Sequence, residues 1–179
     1  MHRPWGKTLA LAAIVAVLLL ALVPGAPASQ TRTSKQMQVL QAGILQQLNA
    51  LRASHHLKPL VLSRSLSTAA GNHNSEMASA GFFSHDSKNG SAFWKRIKRF
   101  YNSSGYGYWS VGENLLWASP DVDPAGALKM WLDSPEHKKN MLDPQWHEIG
   151  IAALHAPSAG GVFGGNEVTI VTTDFGIRR

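Results

Sequence analysis

Met37, Leu40, Ile44, Leu48 and Leu51 recur every three or four residues, so they share one face of a helix. The pair His55-His56 marks its end, exposed and compatible with the helix dipole. Leu66, Ala70, His73 and Met77 repeat the spacing, with Ser63 or Ser65 as cap and Gly81 as stop. His73 therefore lies on an apolar face and reads as a core residue bonded to backbone. In SAFWKRIKRF, Phe93, Ile97 and Phe100 take one side of a helix and Lys95, Lys98 and Arg99 another. Asp123-Pro124 opens a further helix through Ala127, Leu128 and Trp131, and Ser134-Pro135 ends it and starts a short second one. The period then changes. HEIGIAALHA and EVTIVTTDFGI are β-branched and extended, and the Gly-rich PSAGGVFGGN joins them as an antiparallel hairpin; WSVGENLLWAS supplies a third strand. Helices packed on a small antiparallel sheet make the class α+β.

Length and composition place this domain in the chain. At 179 residues without internal repeats there is room for one domain and a short extension. Arg3 and Lys7 precede a sixteen-residue apolar run, TLALAAIVAVLLLALV, followed by PGAPAS. We read residues 1–28 as a signal peptide cut after Ala28, with an uncleaved anchor as the alternative. Residues 29–36, polar and Ser/Thr-rich, read as a flexible linker, and 37–179 as the domain, secreted or held in the cell envelope. There is no cysteine, which excludes a disulfide scaffold, a thiolate metal site and a cysteine nucleophile. Without Arg3 and Lys7, the 17 Lys+Arg fall to 15 against 11 Asp+Glu, a mildly basic +4. The sequons at Asn89 and Asn102 matter only in a glycosylating cell.

No G-x-S-x-G elbow, P-loop, H-E-x-x-H or G-x-G-x-x-G is present. Ser84 and His85 are neighbours whose side chains diverge, which argues against a serine activated by the next residue. What remains is dispersed: His85 in GFFSH, Glu113 in VGENL, His137 in SPEHKKN and His147 in QWHEIG. Two imidazoles and a carboxylate converging at the edge of a core could bind Zn²⁺, or could form a hydrogen-bonded network without metal. With Ser134 as cap, His137 is the third helical residue, where the dipole favours neutral imidazole.

In order, LNALRASHHLKPLVLSRSLSTAA, NHNSEM, GFFSHDSKNGSAFWKRI, GYWSVGENLLWAS, ALKMWLDSPEHKKNML, WHEIGIAAL and TTDFG resemble the CAP superfamily of cysteine-rich secretory, antigen-five and pathogenesis-related proteins. The likeness is to its cysteine-free bacterial secreted type and runs from Leu40 to Gly176. It implies a single-domain α-β-α sandwich whose cleft holds two histidines and two acids. His85 matches the first histidine, Glu113 the glutamate of the GEN motif and His137 the second histidine. The fourth position falls at Asp133 or Ser134, with Glu136 a neighbouring carboxylate. His147 inherits no role.

The resemblance implies a non-catalytic extracellular binding module, and we expect it to be monomeric. Its cleft would take a small lipid- or sterol-like ligand, a divalent metal at His85 and His137, or a cell-envelope partner. No cofactor is required, zinc or another divalent ion being an optional guest. Specific nucleic-acid binding is not expected, nor membrane attachment once the signal is removed. Two alternatives are a metal-dependent hydrolase of peptide or cell-wall substrates with Glu113 as general base, and a polyanion-binding surface of Lys95, Arg96, Lys98, Arg99, Lys138 and Lys139.

Overall fold

The computed structural model describes Met1 and residues 28–179, with side chains from Thr33 onward. The expected signal segment therefore lies outside the described residues, apart from Met1 and Ala28. Helix α1 (Ala28–Ser54) begins before the apolar stripe and carries Leu40, Ile44 and Leu48 fully into the core. Residues 29–36, expected as a linker, are its first turns: no proline or glycine interrupts them, and Ser and Thr only weakly oppose a helix already anchored downstream. The helix ends at His55 and His56, both exposed, with His56 in the left-handed region.

A two-residue strand, β1 (Val61–Leu62), leads into α2 (Arg64–Ala80), which stops at Gly81. Then follow α3 (Phe93–Lys98), β2 (Trp109–Ala118), α4 (Pro124–Leu132), α5 (Pro135–Met141), β3 (Glu148–Ala159) and β4 (Asn166–Arg178). Asp123 caps α4 by accepting from the Gly126 amide at 2.7 Å. Ser134 holds the cap position of α5 in extended geometry, but its hydroxyl makes no capping bond.

The strands lie in the order β1-β3-β4-β2. The hairpin of β3 and β4 and the pairing of β2 with β4 are antiparallel, as the sequence indicates. The added β1, too short for any periodicity, pairs parallel to β3, so the sheet is mixed at that edge. Alternation along the strands divides the core in two. Val171, Phe175, Ile149 and Ile151 meet α1, α4 and α5 through Leu48, Trp131 and Met141. Ile170, Val168 and Leu115 turn the other way onto Met77 of α2, while Val111 packs with Leu66, Ile97 and Tyr101. Helices thus cover both faces of the sheet, and β2 is the edge strand opposite β1.

Arg52, fully buried near the end of α1, fastens this arrangement next to the cleft. It donates to the carbonyls of Lys58 at 3.0 Å, Met141 at 2.8 Å and Asp143 at 3.0 Å. Those two last carbonyls are at and just beyond the C-terminal end of α5, where helix carbonyls lack partners of their own.

Candidate functional site

The position of β2 at the sheet edge explains how two histidines from opposite helical layers meet. Successive side chains on a strand point to opposite faces, so Glu113 and Asn114 reach one layer each. Glu113 turns towards α3 and the loop after α2. Its Oε1 accepts from Nδ1 of His85 at 2.8 Å, and its Oε2 is ion-paired with the Arg96 guanidinium. Asn114 turns towards α5, where its amide donates to the His137 carbonyl at 3.1 Å. Asn140, one turn further along α5, donates to the Glu113 carbonyl at 3.1 Å and to Asn114 Oδ1 at 2.9 Å. Its own Oδ1 accepts from the Trp146 indole at 3.2 Å. Gly112 permits this approach: a Cβ there would lie 2.6 Å from Asn140 Oδ1 and 2.9 Å from the Trp146 ring.

His85 is held from behind as well as from below. Buried His73 bonds through Nε2 to the Ser84 carbonyl at 2.8 Å, the backbone bond its place on an apolar face suggests. Arg96 donates to the His85 carbonyl at 3.0 Å while it pairs with Glu113. Burial, followed by the nearby Arg96 charge, lowers the proton affinity of His73. Burial, followed by the proximity of His85, likewise lowers that of His137, with Glu136 opposing. The His137 imidazole is thereby biased to the neutral form that its helix position favours.

His85, Glu113 and His137 come together along one cleft with two lobes. A polar lobe of about 300 Å³ is lined by His85, His137, Asn114, Asn140, Glu136 and Asp143, among others. An apolar lobe of about 400 Å³ lies beside it, with Phe83 and Leu115 in its wall, and shares both histidines. The residues expected at the fourth position are placed elsewhere. Asp133, whose side chain is 64% exposed, pairs with Lys129 at 2.6 Å on the outer side of α4, and Ser134 is the cap residue described above. His147 is exposed, and just before β3 its carbonyl accepts from the Val61 amide and its amide donates to the Gly176 carbonyl.

The sequence reading missed two members of the site. Arg96, counted with the surface basic residues, is 6% exposed and internal, so that surface loses it. The available signal was spacing: three residues after Phe93, it falls on the apolar side of α3. Asp174, in TTDFG, is fully buried on β4 directly across from Glu113.

These contacts define what the cleft can hold. The Glu113 side chain is 1% exposed and its oxygens already face His85 and Arg96, so little of the carboxylate is presented to an ion or a water in the cleft. His85, half exposed, keeps Nε2 free to face a ligand, and the His85–Glu113 bond is the kind that orients a ligating imidazole. Two nitrogens are thus on offer. Among the described residues no three His, Cys, Asp or Glu side chains form a ready metal cluster. The donors fit a weakly held, partly hydrated ion better than the three-ligand arrangement of catalytic zinc.

The model of the cysteine-rich secretory protein family, CAP, matches residues 45–173. The chain belongs to the CAP family. The CAP domain here has the sandwich expected from the sequence, without any cysteine. Among curated relatives, YkwD of Bacillus subtilis is 27% identical over 139 residues, covering 74% of this chain and 52% of its own. The Bacillus subtilis membrane protein YlbC is 27% identical over 122 residues, covering 68% of this chain and 32% of its own. The chain therefore spans about half or less of those relatives. An extracellular Bacillus anthracis protein containing an SCP domain superposes with TM-score 0.65 at 25% identity, over 87% of this chain and 45% of that one. An outer surface protein of Borrelia burgdorferi does so with TM-score 0.58 at 18% identity, over 76% and 90%.

Proposed function

We propose that this CAP domain is a non-catalytic extracellular binding module whose cleft takes a small ligand with one apolar and one hydrogen-bonding end. The supporting observation is the junction of the two lobes: His85 and His137 stand where an apolar wall gives way to a polar one. An acyl or sterol-like body would lie against Phe83 and Leu115 while its polar head meets the imidazoles. An extracellular setting is in keeping with the extracellular and outer-surface relatives.

A hydrolase using Glu113 as base is the weaker reading, because its carboxylate is withdrawn behind His85 and tied to Arg96. A divalent ion is compatible with the binding reading as a guest of the two imidazoles. The test is titration of the protein with decanoate, followed by NMR of the histidine side chains. Saturable shifts at both histidines, abolished in His85→Ala/His137→Ala, are expected. Shifts that never saturate, or that persist in the double variant, would remove the small-ligand reading. Zn²⁺ added in a calorimeter should bind the parent weakly and the double variant not at all; equal heats from both would remove the ion.

A further inference from the structure

The carboxyl group of Asp174 is fully buried, and among the described residues no hydrogen-bond donor reaches either of its oxygens. In register it stands opposite Glu113 on β2 and Gly150 on β3. Directly opposed residues share a face of the sheet with their side chains in contact range. Gly150 brings α2 close at this place. A Cβ there would fall 2.1 Å from the Leu66 backbone, so α2 lies directly on the sheet beside the two acids. Glu113 from β2 and Arg96 from α3 are the charged groups that act on Asp174, and His73 from α2 faces the same two groups; Gly150 brings no side chain from β3. Only Arg96 is a fixed cation, and it is already paired with Glu113. Two ionised carboxylates would leave one negative charge buried without a partner, a cost that a single bound proton removes.

We propose that Asp174 carries a proton and donates it to Glu113, so that the two carboxyl groups share one negative charge opposite Arg96. Asp174 is then a positioning residue: it fixes the Glu113 carboxylate, which in turn accepts Nδ1–H of His85 and presents His85 Nε2 to the cleft. Burial first, and Glu113 next, push the Asp174 carboxyl well above the usual carboxylate range, with Arg96 opposing. The pair supplies the second acid of the site from beneath the cleft rather than from its rim. Its purpose rests on the binding reading, but its test does not.

The test needs no ligand. In protein labelled with carboxyl ¹³C aspartate, the Asp174 resonance should stay in the protonated range at pH 7, with no step near pH 4. A carboxyl that titrates in the ordinary range overturns the proposal. Nitrogen shifts of neutral His85 should report Nδ1–H in the parent and in Asp174→Asn, whose amide still donates to Glu113. In Asp174→Leu that tautomer preference should be lost. If Asp174→Leu keeps it, Asp174 does not position the site. Should the leucine variant fail to fold, the parent resonance and the asparagine variant decide. Loss of decanoate binding with these signatures intact would count against the binding reading alone.

Discussion

Arg96 spans the site's structural and chemical roles, because one guanidinium holds both the backbone of His85 and the carboxylate of Glu113. Replacing it by methionine keeps much of the volume but leaves Glu113 buried beside Asp174 without a counter-charge. We expect Arg96→Met to cost about 3–5 kcal/mol in denaturant unfolding, the range for removing one partner of a buried pair. Lys95→Met, on the exposed side of the same helix, should change stability by less than about 0.5 kcal/mol. The two buried titrating groups act in opposite directions. For Asp174 the folded state holds its proton more tightly than the unfolded chain, so its contribution to stability falls as pH rises above about 4. The stability of Asp174→Asn relative to the parent should therefore increase from pH 4 to pH 7. For His73 the folded state resists protonation, so stability is lost as pH falls below about 6.5. His73→Gln should gain on the parent between pH 7 and pH 5. Denaturation midpoints measured in pairs across pH test both signs.

The elements were legible in proportion to their periodicity. Helices α1, α2 and α4 and the β3–β4 hairpin carry repeats several residues long, and tertiary packing agrees with them. Strand β1 has two exposed residues and no period; only its parallel neighbour makes it a strand. Asp133 follows a tryptophan and a leucine in the chain, but the last turn of α4 rotates it outward to Lys129. Asp174 was hidden for the converse reason. In a continuous buried strand every position faces some layer, so a lone acid there does not show in sequence which groups surround it. Gly112 had a signal in GEN, but its steric cause lies in α5. Gly112→Ala should force α5 away from β2 and cost about 1–3 kcal/mol, with the cleft histidines shifting in NMR spectra. An unchanged midpoint with unchanged histidine signals would show that α5 can yield without strain.

The family resemblance pointed to His85, Glu113 and His137, and the structure places all three along one cleft although they lie in three separate segments and no local motif joins them. It could not supply their different settings, with His85 half open, Glu113 turned inward and His137 biased towards the neutral form at a helix start. Those settings depend on β2 being an edge strand with helices on both sides. The same geometry has a consequence for solubility. The outer side of β2 presents peptide groups that a strand of another copy could take up, and Asn140 occupies one of them, the Glu113 carbonyl. Asn140→Ala would both widen the cleft and uncover a template for intermolecular pairing. Light scattering should show concentration-dependent self-association in that variant and a monodisperse parent. The size of the cleft and resistance to aggregation therefore meet in one side chain, and enlarging the first is expected to erode the second.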